Sequence, residues 1–165
     1  MQPTLTLSSL PALLGICYLV AVAWPLAIID VRQHRLPNLL VLPALPITLI
    51  GQLASLALGE PVLRLGLAAI VAVVTFGLGL LANRFAGLGM GDVKLFTAMA
   101  LALGWWGPQP LVLALLVAVA SASAVVLWLL LVGKTKIGSS IALGPYLLLG
   151  LLGATAGVVT VPGWS

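Results

Sequence analysis

The chain is predicted to be all-α, a polytopic membrane protein with six transmembrane helices and both termini outside. Three observations predict it. Of the 165 residues, 62% are hydrophobic and 6% are charged, whereas a soluble domain carries about 25% charged residues; the mean hydropathy is +1.29. The apolar residues gather into runs close to the roughly 20 residues that cross a bilayer as a helix. The connections between runs are short and hold the Pro, Gly and charged residues. This length suits one membrane-embedded domain over residues 1–165, with no separate soluble domain.

The elements follow in order. The first span, Leu10–Ile29, is preceded by a stretch, Met1 to Ser9, without Lys or Arg; lacking the basic region of a signal peptide, it is expected to be retained. The second, Leu39–Leu58, begins after Pro37-Asn38, where Pro breaks the connection and Asn is expected to cap the helix. The third is Leu65–Ala82. The fourth, Val93–Trp106, has 14 residues, about 21 Å of helix against a hydrocarbon core of about 30 Å. It is either sunk below the surface or matched by a thinned bilayer. If sunk, the glycine-rich stretch Gly87–Gly91 dips to a depth where irregular backbone survives only when buried in protein or lining a wet cavity. The fifth span is Leu111–Val132 and the sixth Ile141–Val161. Gly153 and Gly157 in the sixth suit close helix packing, within the chain or across a homodimer.

Six of the seven basic residues (Arg32, Arg35, Arg84, Lys94, Lys134 and Lys136) follow odd-numbered spans or open the fourth, which makes that side cytoplasmic. Arg64 lies on the other side. Trp24 and Trp128 then sit near inner ends and Trp105, Trp106 and Trp164 near outer ends, as interface belts require. The net charge of +4 and the pI of 9.9 do not indicate nucleic acid, since scattered basic residues form no footprint. The single Cys17 excludes disulfide frameworks and zinc-finger spacings and reads as a packed small hydrophobe. His34 reads as a solvated loop residue.

Only three carboxylates exist, Asp30, Glu60 and Asp92. The topology puts Asp30 and Asp92 on the cytoplasmic side and Glu60 opposite, as a bystander. A charge at the edge of hydrocarbon is costly and usually functional. Two close carboxylates share a proton, so one can take a proton from water while the other donates to a scissile carbonyl. The structural alternative is that each aspartate caps or solvates a helix end, with Asp92 as N-cap of span four. In Gly89-Met90-Gly91-Asp92, glycines let backbone approach a peptide closely enough to pair with it.

Asp30-Val31-Arg32-Gln33-His34-Arg35-Leu36-Pro37-Asn38 resembles the first signature of type IV prepilin peptidases, an Asp and a basic stretch ending in Ile-Pro-Asn. Gly89-Met90-Gly91-Asp92-Val93-Lys94-Leu95 resembles their GxGD aspartic-protease motif. Leu143-Gly144-Pro145-Tyr146-Leu147 resembles a third element, usually Phe-Gly-Pro-Phe/Tyr-Leu. Leu36 and Leu143 depart from the usual Ile and Phe and stay apolar. The resemblance implies an inner-membrane aspartic endopeptidase that cleaves the short basic leader, ending in Gly, from prepilins or pseudopilins at the cytoplasmic face. It implies Asp30 and Asp92 as catalytic, with Gly89, Gly91, Lys94, Pro37, Asn38, Gly144 and Pro145 in support and neither metal nor cofactor. The zinc-binding methyltransferase domain of bifunctional members has no counterpart here, so only the peptidase activity carries over; the compact form is similar to tight-adherence pilus peptidases. Two other classes stay open on the residues alone: a proton-coupled transporter, which calls for acids at the bilayer midplane, and a non-catalytic subunit whose aspartates hold a partner's basic segment.

Overall fold

A computed structural model describes residues 6–33, 37–132 and 144–160. Every regular element among them is helical. A 3₁₀ helix, Leu7–Leu13, leads into α1 (Leu14–Gln33); α2 (Asn38–Val41), α3 (Ala44–Ala57), α4 (Val62–Ala86), α5 (Met90–Gly104), α6 (Pro108–Leu131) and α7 (Gly144–Thr160) follow. Each predicted span overlaps a helix among the described residues. The second is divided into α2 and α3 around Leu42-Pro43, where Pro43 has no N–H to continue the ladder. Four stretches are long and apolar enough to cross a membrane: Leu7–Arg32, Asn38–Ala57, Val62–Ala86 and Pro108–Leu129. The chain is thus an all-α, multi-pass membrane protein.

The brevity of α5 has a structural reason: it is the buried centre of the molecule. Val93, Leu95 and Ala98 through Leu103 are all within 5% of full burial, and α5 touches each of the other six α-helices. A helix wrapped by protein need not match the lipid thickness. Its far end is held by Gln52 of α3, whose buried Nε2 donates to the Leu101 carbonyl at 2.8 Å.

This arrangement corrects the expectation for Trp105 and Trp106. Both are buried, at 1% exposure, because they end the central helix and not a peripheral one. Trp24 and Trp128 do lie outward, 78% and 56% exposed; Trp164 is outside the described residues. Cys17 is corrected in the opposite sense, since it is exposed on the outer face of α1 instead of packed. In the α6–α7 pair the tight approach is at Gly150, where any side chain would collide with the Ala114 carbonyl oxygen, while Gly153 makes an ordinary contact with Val117.

The two ends of the bundle differ. At one, the start of the 3₁₀ helix meets the α3–α4 connection: Thr6 Oγ1 and Ser8 Oγ donate to Glu60 Oε1 at 2.8 and 2.6 Å, and Arg64 Nη1 lies 2.6 Å from Glu60 Oε2. Glu60 is therefore no bystander. Burial alone would raise its carboxyl, but the bonds from Ser8 and Thr6 and the Arg64 charge outweigh this and hold it below the ordinary value. At the other end converge the C-terminal ends of α1 and α4 and the N-terminal ends of α5 and α7, and with them both aspartates.

Candidate active site

Asp30 stands one turn before the end of α1 and is buried, 4% exposed. Its Oδ2 accepts a hydrogen bond of 2.9 Å from the backbone N–H of Gly144, the first residue of α7. The partners are 114 residues apart in the chain. Glycine is what permits the bond: a Cβ at position 144 would sit 2.6 Å from that same Oδ2, closer than non-bonded atoms tolerate. Pro145 follows in the first turn of α7, where a missing N–H costs nothing.

Asp92 reaches the same region from α5. That helix begins at Met90 with Gly89 as its N-cap, so Asp92 is in the first turn and is not the N-cap of the structural alternative. Its Oδ2 lies 3.0 Å from where a Cβ on Gly89 would be, so a side chain there would crowd it. Its Oδ1 is buried and has no hydrogen-bond partner among the described residues. An oxygen in that state is costly unless something else engages it. Asp30 and Asp92 interact electrostatically with one another. α7 joins the two: Gly144 holds Asp30, and Leu147, three residues on, lines a hollow with Asp92.

The loop ahead of Asp92 is shaped by two features. Gly87 closes α4 in the left-handed conformation, φ +70°, that glycine adopts without strain. The Asn83 side-chain amide donates to the Leu88 carbonyl. Asn83 escaped the sequence reading; the available signal was an amide side chain in the last turns of an otherwise apolar span.

Lys94 does not pair with an aspartate. Its Nζ donates to Asn38 Oδ1 at 2.9 Å. Asn38 in turn is the first residue of α2, with Pro37 as the N-cap, so its side chain serves α5 and does not cap its own helix. The bond fastens the segment after α1 to the helix of Asp92. The ion pair among the described residues is Arg64–Glu60 at the opposite end. Gly91 occupies the α5 first turn beside Asp92. His34, Arg35, Leu36, Lys134, Lys136 and Leu143 lie outside the described residues.

The hollow lined by Asp92 has a volume of about 300 Å³ and lies among α4, α5, α6 and α7. A larger one, about 530 Å³, surrounds the α2–α3 break at Leu39, Leu42, Pro43 and Pro46, but neither aspartate lines it. The smaller hollow is the one next to chemistry. Two carboxyls in mutual range, one fixed by a backbone N–H and one with a free oxygen, can together move protons to and from a substrate or a water.

The family model of the type IV leader peptidase family matches residues 17–164. Searches of curated proteins and of solved structures returned no match.

Proposed function

This chain belongs to the type IV leader peptidase family, and on that premise we propose that it cleaves the leader from prepilin-like precursors by using Asp30 and Asp92 as an aspartic dyad. The observation that carries the reading is the joining of these two carboxylates, from α1 and α5, at one end of the bundle through the start of α7. Family membership makes the chain a peptidase; the dyad supplies a way to be one. The proposal extends to six spans, both termini outside, and a cytoplasmic active side in a bacterial inner membrane; Arg32 and Arg84 in the last turns of α1 and α4 and Lys94 near the start of α5 support that side.

In this mechanism the pair shares one proton. One carboxylate accepts a proton from water as its oxygen attacks the scissile carbonyl carbon, and the other donates its proton to the carbonyl oxygen. The tetrahedral adduct then collapses: the C–N bond breaks as the leaving nitrogen takes the proton that the first carboxyl gained from water, an adduct hydroxyl returns its proton to the second carboxylate, and the dyad is back in its starting state. The Gly144 N–H holds Asp30 in one orientation throughout, which confines the pair to a reactive geometry.

The test is cleavage of a prepilin-type precursor by Asp30→Asn and Asp92→Asn proteins reconstituted in liposomes. Each is expected to lose about 10²–10⁴-fold in rate, the worth of positioned acid–base catalysis, while inserting normally. Full cleavage by Asp92→Asn ends the dyad mechanism.

A further inference from the structure

We propose that Asn83 is a positioning residue for Asp92: its side-chain amide, on α4, fixes the peptide that leads into α5 and so sets where α5 holds its carboxylate. This role rests on the leader-peptidase reading above. Gly87, Leu88 and Gly89 alone separate α4 from α5. Glycine on both sides of Leu88 gives the connection wide backbone freedom. Both backbone groups of Leu88 are nevertheless held by α4. Its N–H donates to the Ala82 carbonyl at 3.3 Å, and its carbonyl accepts from Asn83 Nδ2. A peptide unit is planar, so the Asn83 bond orients the whole Leu88–Gly89 unit. Gly89 is the N-cap of α5, and its carbonyl accepts the first bond of that helix from the Val93 N–H at 3.2 Å.

Ending α4 does not require this amide. The left-handed Gly87, with the N–H groups of Gly87 and Leu88 both donating to the Ala82 carbonyl, already closes the helix. The Asn83 bond goes instead to a carbonyl of the connection, past the helix end. Asp92 depends on such a fastener more than Asp30 does. The Gly144 N–H fixes Asp30 directly. Asp92 has a buried Oδ1 with no partner among the described residues, so its place is set by the backbone that carries it. Its Oδ2 lies 3.0 Å from the Cβ position of Gly89, so a shift of Gly89 is felt at the carboxylate. Leu88 and Asp92 also line one hollow, so a displaced Leu88 changes the packing beside that group.

Two variants test this in liposomes: Asn83→Ala, and Asn83→Leu, which keeps the branched shape of the side chain without the donor. Leu81→Ala, an exposed α4 position off the hollow, is the control. Two readouts are taken on each protein, the kinetics of cleavage of a prepilin-type precursor and backbone amide hydrogen exchange. A misplacement of about 1 Å costs on the order of 10²-fold in rate. With the Leu88 N–H still held, both Asn83 variants are expected to lose about tenfold in kcat, with KM held within about twofold. Exchange over residues 87–92 should quicken at least about threefold, the worth of one hydrogen bond, while residues 6–13 at the opposite end stay unchanged. A general loss of stability would quicken both segments. Leu81→Ala moves neither readout. Wild-type kcat in the Asn83 variants, the same loss in Leu81→Ala, or exchange that rises equally at both ends overturns the positioning role and leaves the peptidase reading standing. Quickened exchange confined to residues 87–92, in a protein whose wild type cleaves no precursor, supports the hold of Asn83 on the connection and overturns the peptidase reading.

Discussion

The two ends of this bundle treat their carboxylates in opposite ways. Glu60 is surrounded by donors: two hydroxyls on one oxygen and a guanidinium on the other. Among the described residues, Asp30 has one backbone N–H donor, that of Gly144, and Asp92 has a buried oxygen with no partner. Asp30 and Asp92 instead sense each other. A carboxylate saturated with donors is committed to holding structure, since its lone pairs have no capacity left for a substrate. A carboxylate short of donors costs stability and keeps that capacity. Under the proposed dyad, fastening falls to the Glu60 end and chemistry to the aspartate end, and each role can be broken separately.

The largest effect after loss of an aspartate is expected at Gly144. Gly144→Ala adds an atom 2.6 Å from Asp30 Oδ2, so the α7 start or the Asp30 side chain must move. Misplacement of a catalytic group by about 1 Å costs on the order of 10²-fold in rate. Cleavage kinetics should show that loss in kcat, with the thermal midpoint nearly unchanged. A variant with normal kcat shows that the Gly144 contact does not set the Asp30 geometry.

Much of this end was legible in the sequence because charge is so scarce in a membrane chain. Asp30, the GxGD stretch and the Gly-Pro element were visible from composition and motif alone. The inward or outward facing of apolar residues was not. Lipid tails are as apolar as leucine, so the buried α5 and its peripheral neighbours share one composition. Trp105 and Trp106 therefore read as belt residues and Cys17 as packed, and the structure reverses both. The role of Glu60 was hidden for another reason: its hydroxyl partners precede it by 54 and 52 residues. No local pattern reports a contact of that separation. The cap expected of Asn38, and the capping alternative for Asp92, both fail because each helix begins one to three residues earlier than its apolar run.

At the other end the contrast predicts a stability effect without a catalytic one. Glu60→Gln keeps acceptors for Thr6 and Ser8 but removes the charge facing Arg64, and is expected to destabilise by about 1–3 kcal/mol, read as a lower midpoint in detergent at pH 7. The effect should depend on pH with a definite sign. The folded carboxyl is held below its ordinary value of 4.5, so the folded state binds fewer protons there than the unfolded chain. Its contribution is full well above pH 4.5 and is lost as pH falls through the lower folded value. The gap between wild type and Glu60→Gln should close on acidification. A gap that persists under acid shows that the charge is not what holds this end together.

The smallest effect belongs to Lys94, which sharpens the distinction within the aspartate end itself. Its bond to Asn38 is solvent-exposed, so water replaces it when the amine is removed. Hydrogen bonds of this kind contribute about 0.5–1.5 kcal/mol, and Lys94→Met is expected to sit at the low end because methionine preserves the side-chain stem. If the link only fastens the segment after α1 to α5, the variant loses a small part of its stability, and cleavage falls by less than about tenfold. It should do so equally with Asn38→Ala, and the double variant should be no worse than either alone, since both changes remove one shared bond. A drop to the level of Asp92→Asn would instead place the ammonium in the reaction, two residues from the carboxyl it follows. The double-variant comparison separates these outcomes, because a group acting on substrate loses activity whether or not Asn38 is present to receive its bond.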